Sequence, residues 1–229
     1  MSISMPVSDE TESKLRDKVI LVVGGSGGLG TALVEGLRAR GAKVLTSGRN
    51  PTSGADILLD IRDCDAGALV VTAVSGGPGR LDGVINASGV VAFGSLEDTS
   101  DVVIEELFMT NVMGPMWLMR RLLPLLTESR GFMVMISGVV AETPMPQMAA
   151  YSASKAALAA AATALRRELR RAKVRVIDAR PPHTETGLAT RPLSGTAPAM
   201  AEGLAPQQVA ERILQAIENG EDDLSSAGF

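Results

Sequence analysis

Residues 18–41 constrain this chain more than any other stretch: KVILVVGGSGGLGTALVEGLRARG. An apolar β-branched run over 19–23 breaks into five glycines within seven residues, and Leu29, Leu33 and Leu37 then recur at helical spacing. That order reads as strand, glycine loop, helix. Glycines let a backbone turn sharply and approach a bulky anion. The helix that opens there offers free N–H groups and the positive end of its dipole. The pattern predicts the pyrophosphate of a dinucleotide as the guest. Two spacings fit. Gly25, Gly27 and Gly30 make G-x-G-x-x-G; Gly24, Gly28 and Gly30 make G-x-x-x-G-x-G. Such turns also serve plain packing, so the choice falls to the rest of the chain.

The alternation continues. Further strands are predicted over 43–47, 55–61, 81–86, 131–137 and 173–178, with helices over 63–75, 100–127, 150–172 and 206–219. Strands alternating with helices imply right-handed βαβ units: an α/β, doubly wound parallel sheet, Rossmann-like, with helices on both faces. Only 11 positions separate Arg49 from Asp60. A full crossover needs at least ~10–12 residues including its helix, so the second crossover is expected to be shortened to a loop. After Gly220 come nine residues with acids at 221–223, which predicts six strands and no seventh. Residues 1–14 read as a loose polar tail, and 15–229 as one domain of about the usual size.

Composition removes several function classes. Net charge is −4, so nothing favours nucleic acid. One cysteine, Cys64, and one histidine, His183, exclude an internal disulfide and a Cys- or His-rich metal centre. The start of the chain lacks a basic n-region, and Arg120 and Arg121 interrupt the best apolar run, 112–126. The expectation is a cytoplasmic protein with no membrane span.

In a doubly wound sheet the ligand sits outside the carboxyl ends of the strands. The candidate cofactor residues therefore follow each strand: Gly24, Ser26, Gly27, Gly28, Leu29 and Gly30; Arg49; Asp60 and Ile61; Asn86, Ala87, Ser88 and Gly89; Pro181, Thr184 and Thr186. An acid about 20 positions beyond the glycines binds ribose hydroxyls in NAD proteins. Gly48 stands there, with Arg49 next. A guanidinium welcomes a 2′-phosphate that an acid would repel, so NADP is preferred over NAD. The plainer alternative is an exposed turn arginine.

Tyr151 and Lys155 lie four apart at a predicted helix start and share one face. An unperturbed phenol keeps its proton near neutral pH. A neighbouring ammonium favours the phenolate, and a phenol so tuned can exchange a proton with a carbinol while hydride moves at carbon. The plainer alternative is a chance surface pair.

With these motifs in order, residues 18 to about 190 resemble the short-chain dehydrogenase/reductase family. Gly24, Gly28 and Gly30 match its glycine motif, with Val23 where Thr is usual. The resemblance implies that Asp60 holds the adenine and that Asn111 bends the long helix and orders a proton-relay water. It also implies that Tyr151 and Lys155 are the catalytic pair. Residues 86–89, Asn-Ala-Ser-Gly, are similar to the family's N-N-A-G turn, and 181–186 to its P-G-x-x-x-T loop, with Pro182 for Gly and Thr186 as the threonine.

One departure concerns the chemistry. Gly138 occupies the position of the family's catalytic serine, and Ser137 stands one place earlier. Adjacent strand residues face opposite ways, so Ser137 serves only if the strand end turns. His183, Glu142, Thr143 or a water are the alternatives. Relatives usually end in a seventh strand that helps build a tetramer. Without one, a homodimer through the helices at 100–127 and 150–172 is expected ahead of that tetramer. Met145, Met148, Met200, Phe93 and Leu188 border the implied cleft, under a lid over 187–204, and suggest an apolar carbonyl or alcohol substrate. The resemblance thus implies an NADP-dependent oxidoreductase. The competing reading is a nucleotide-binding sensor or scaffold that kept the fold and lost efficient chemistry, for which Gly138 is the motive. Flavin binding leaves Tyr151 and Lys155 unexplained.

Overall fold

The computed structural model describes residues 12–229; the first eleven residues of the expected 1–14 tail lie outside that range. The elements follow in the order β1 (Val19–Val23), α1 (Gly28–Ala39), β2 (Lys43–Gly48), β3 (Ile57–Leu58), α2 (Ala66–Gly76), β4 (Gly83–Asn86), α3 (Asp101–Phe108), a π-helical turn (Met109–Met113), α4 (Gly114–Ser129), β5 (Phe132–Ile136), α5 (Ala149–Glu168), β6 (Arg175–Ala179), α6 (Pro206–Asn219) and β7 (Asp223–Leu224).

All seven strands pair in parallel, in the order β3-β2-β1-β4-β5-β6-β7. The order reverses between β1 and β4, which creates a crevice at their carboxyl ends. Helices cover both faces. Val70, Leu118, Leu122 and Leu158 pack with Leu21, Val84 and Met133 on one side. Leu33, Leu37, Ile213 and Leu214 pack with Ile20, Ile85 and Ile177 on the other. The β1 residues Ile20, Leu21 and Val22 are fully buried because both faces are covered.

The second crossover is short, as expected: β2 and β3 are joined by a single 3-10 turn, Pro51–Ser53, capped by the Asn50 side chain. The six-strand expectation is corrected, because β7 is present. Its acids are poor strand formers locally, but arginines from other elements compensate them. Arg175 pairs with Asp222 and Arg180 with Asp223. Leu224 is 1% exposed, against the α1–α6 side of the sheet. Burial of that one side chain and arginine pairing outweigh local propensity.

Candidate active site

The glycine loop is built by close approach. An added Cβ would sit 2.1 Å from the Gly24 carbonyl oxygen at Gly30, and 2.5 Å from the Thr186 carbonyl oxygen at Gly28. Gly24 has φ +76°, and a Cβ there would meet Ser88 N at 3.0 Å. The tightest constraints therefore fall on Gly24, Gly28 and Gly30, the spacing G-x-x-x-G-x-G. Gly27, the residue before α1, makes no side-chain cap, so the helix start keeps N–H groups for an anion. Leu29 packs at the edge of the α1 core. Ser26 Oγ lies 3.4 Å from where a Gly48 Cβ would be, at the end of β2.

Arg49 follows β2, exposed, with no ion pair among the described residues. Asp60 is more committed than its sequence position suggests. Its carboxylate accepts from Arg62 Nε and Nη2 at 2.6–3.1 Å, and Arg62 also pairs with Glu106. The Arg62 hydrogen bonds hold Asp60 below its usual carboxylate range, with the Arg49 charge adding to them. Arg62 was not singled out by sequence; only its spacing, two residues after the acid, hints at it. Ile61 is buried, and its carbonyl oxygen would be 2.4 Å from a Cβ at Gly114.

The β4 turn is self-braced. Asn86 Oδ1 accepts from Ser88 Oγ at 2.6 Å, and Ala87 N donates to Val23 O. Gly89 then passes beside Asn111 Oδ1 and Lys155 Nζ, 3.4 and 3.6 Å from its ideal Cβ position. Asn111 sits in the π-helical turn at 1% exposure. Its side chain accepts from Val90 N and donates to Val90 O and Ser154 Oγ. Both amide hydrogens of the side chain are used in this clamp.

Tyr151 and Lys155 stand in the first two turns of α5, with Lys155 Nζ 5.9 Å from the Tyr151 ring centre. Lys155 donates to Ile136 O at 2.8 Å and is 6% exposed. Burial pushes the Tyr151 phenol up to about 12 and the Lys155 ammonium down to about 8, the latter opposed by the charge of Asp178. The expected lowering of the phenol by its lysine is therefore overridden by desolvation in the cofactor-free protein.

Ser137 is corrected as a substrate donor. It is fully buried, and its Oγ donates to Asp178 Oδ1 at 2.5 Å. The strand does not turn to expose it. The turn comes one residue later, at Gly138, with φ +80° and only Pro181 O, at 3.9 Å, near an added Cβ. Pro181 O accepts from Val139 N, which ties that turn to the following loop. In that loop Thr184 Oγ1 donates to Pro182 O, Thr186 N to Thr184 O, and Leu188 N to Thr186 Oγ1. His183 faces Glu185 at 3.1 Å, whose Oε1 also accepts from Gly203 N, so His183 braces the loop. Glu142 pairs with Arg180 and Ser226, away from any donor role. Over 187–204, Leu193 N donates to Val91 O, and Phe93 N to Ser194 O. Val91, Phe93, Val140 and Met148 form an apolar cluster with Tyr151 and Leu188. Met145 and Met200 are exposed.

The family model for short chain dehydrogenases matches residues 18–194. The chain belongs to the short-chain dehydrogenase family. Among its relatives is a dehydrogenase/reductase SDR family protein 7-like of Anopheles gambiae, 30% identical over 93% of this chain and 76% of the relative. An uncharacterized oxidoreductase of Methylorubrum extorquens is 31% identical over 85% of this chain and 84% of its own. A short chain dehydrogenase from Burkholderia cenocepacia, solved in complex with NADP, superposes with a TM-score of 0.80 at 25% identity, covering 92% of this chain and 88% of that one. Among the described residues, no helix is long and apolar enough to cross a membrane.

Proposed function

We propose that this short-chain dehydrogenase moves a hydride between NADP and an apolar carbonyl or secondary alcohol. The observation that carries the reading is that Asn111 Oδ1 and Lys155 Nζ lie beside Gly89, with the Tyr151 ring centre 5.9 Å from Lys155 Nζ. The glycine loop cradles the pyrophosphate at the start of α1, Arg49 meets the 2′-phosphate, and Asp60 and Ile61 border the adenine. Asn86 to Gly89, Pro181, Thr184 and Thr186 line the nicotinamide end. When bound, the nicotinamide supplies or accepts the hydride. Tyr151 holds the exchanging proton on its phenol oxygen, and Lys155 holds its own at Nζ, beside the ribose. The NADP bound by the Burkholderia relative supports the cofactor choice. The Val91, Phe93, Val140, Met148 and Leu188 cluster around Tyr151 supports an apolar substrate.

Tyr151→Phe tests this directly. It should abolish NADPH oxidation across a carbonyl panel while NADPH still binds by fluorescence; retained turnover refutes the assignment. A second reading is favoured by Gly138, which has no side chain to offer, and by Ser137, which is committed to Asp178. On that reading the chain is an NADP(H)-binding sensor or scaffold. NADPH binding without oxidation by any carbonyl would select it.

A further inference from the structure

Asp178 is an acid inside an apolar strand, 1% exposed. On β6, Val176 faces the layer of α2, α4 and α5, while Ile177 and Ala179 face the layer of α1 and α6. On β5, Met133 and Met135 face the first layer, and Val134 and Ile136 the second. The alternation puts Asp178 and Ser137 on the α5 side. Lys155 projects from that helix and donates to the Ile136 carbonyl, one residue before Ser137.

The carboxylate is held from two directions. Ser137 Oγ donates to Oδ1 and Arg180 Nη1 to Oδ2, each at 2.5 Å. Arg180 is a shared partner, because it also pairs with Glu142 and Asp223. Arg166 reaches Asp223 only at 4.0 Å. One guanidinium among three carboxylates does not cancel the charge of Asp178. The other neighbours shown for Lys155 are neutral: the Ile136 carbonyl on β5, Gly89 after β4 and Tyr151 on its own helix.

We propose that Asp178, oriented by Ser137 and only partly neutralised by Arg180, is a positioning residue that keeps Lys155 charged for the reaction proposed above. The proposal rests on that reading for its purpose, not for its physics. Burial favours the neutral amine of Lys155, and Asp178 is the charge that opposes it. Ser137 then braces this acid rather than the substrate.

The test is an NMR titration of the Lys155 side chain (13Cε and 15Nζ) in the full cofactor-free chain, assigned with Lys155→Met. Asp178→Asn and Asp178→Ser should lower its midpoint by about one pH unit or more, the scale of a close opposite charge. Arg180→Gln, which removes a cation, should raise it. In the same variants the high-pH limb of kcat/KM should move with the midpoint. An unmoved midpoint in a folded Asp178 variant overturns the proposal. If neither Asp178 variant folds, Arg180→Gln decides, and an unmoved midpoint there overturns it equally. A wild-type chain that fails to oxidise NADPH with every carbonyl offered refutes the enzymatic reading, yet the titration still decides the role of Asp178.

Discussion

Burial moves Tyr151 and Lys155 in opposite directions, toward the neutral form of each. With the phenol raised to about 12 and the ammonium lowered to about 8, the cofactor-free protein near neutrality holds a phenol and a lysine still mostly charged. That resting state suits proton donation, the direction of carbonyl reduction. Because kcat/KM reports the free enzyme, it should be flat below neutrality. It should then fall as pH rises through about 8, where Lys155 loses its proton. A pH profile with NADPH checks this; a flat line to pH 10 would contradict it. The stability effect has the opposite sign. The unfolded lysine keeps its proton up to about 10.5, so between about 8 and 10.5 the unfolded chain binds more protons. Across that window the Lys155 contribution to stability rises with pH. Tyr151 works the other way between about 10 and about 12.

The first strand, glycine loop and helix act as one unit because α1 starts almost in contact with the chain that precedes it. At Gly30 no Cβ fits, since the Gly24 carbonyl oxygen stands 2.1 Å from its position. Gly30→Ala should therefore push α1 away from the loop and cost about 1–3 kcal/mol, as overpacking does. Urea unfolding measures the loss, and NADPH affinity should fall with it. The interrupted helix from Asp101 to Ser129 shows a similar contact. Gly114 lets the end of the π-helical turn approach the Ile61 carbonyl, which fixes the segment after β3 against Asn111's own element. A long helix over 100–127 is readable from apolar spacing. Its π-helical turn is not readable from that spacing; the bend at Asn111 is implied by the family resemblance alone.

Across the molecule, the β7 edge of the sheet is closed by charge. Arg175 and Arg180 pair with Asp222 and Asp223, Glu142 binds Ser226, and Arg212 reaches the Gly228 carbonyl. A chain ending at Gly220 should lose about 2–3 kcal/mol from Leu224 burial alone. That corresponds to a thermal midpoint lower by about 4–12 °C, measurable by calorimetry. Local spacing along the chain carried the doubly wound order, the short second crossover, the glycine turn over 24–30 and the Tyr151–Lys155 pair, whereas the choice of Gly24, Gly28 and Gly30 over the other glycine spacing needed the rest of the chain. The first four depend on residues within a few positions of one another, where turn and helix geometry leave little choice. The seventh strand, the commitment of Asp60 to Arg62 and Glu106, and the burial of Ser137 against Asp178 are of another kind. The partners lie 44 positions apart for Arg62 and Glu106, and 41 for Ser137 and Asp178. Such contacts exist only after the sheet has aligned β5 with β6 and brought α3 over the end of β3. The direction of a buried hydroxyl is then set by which charge it can reach.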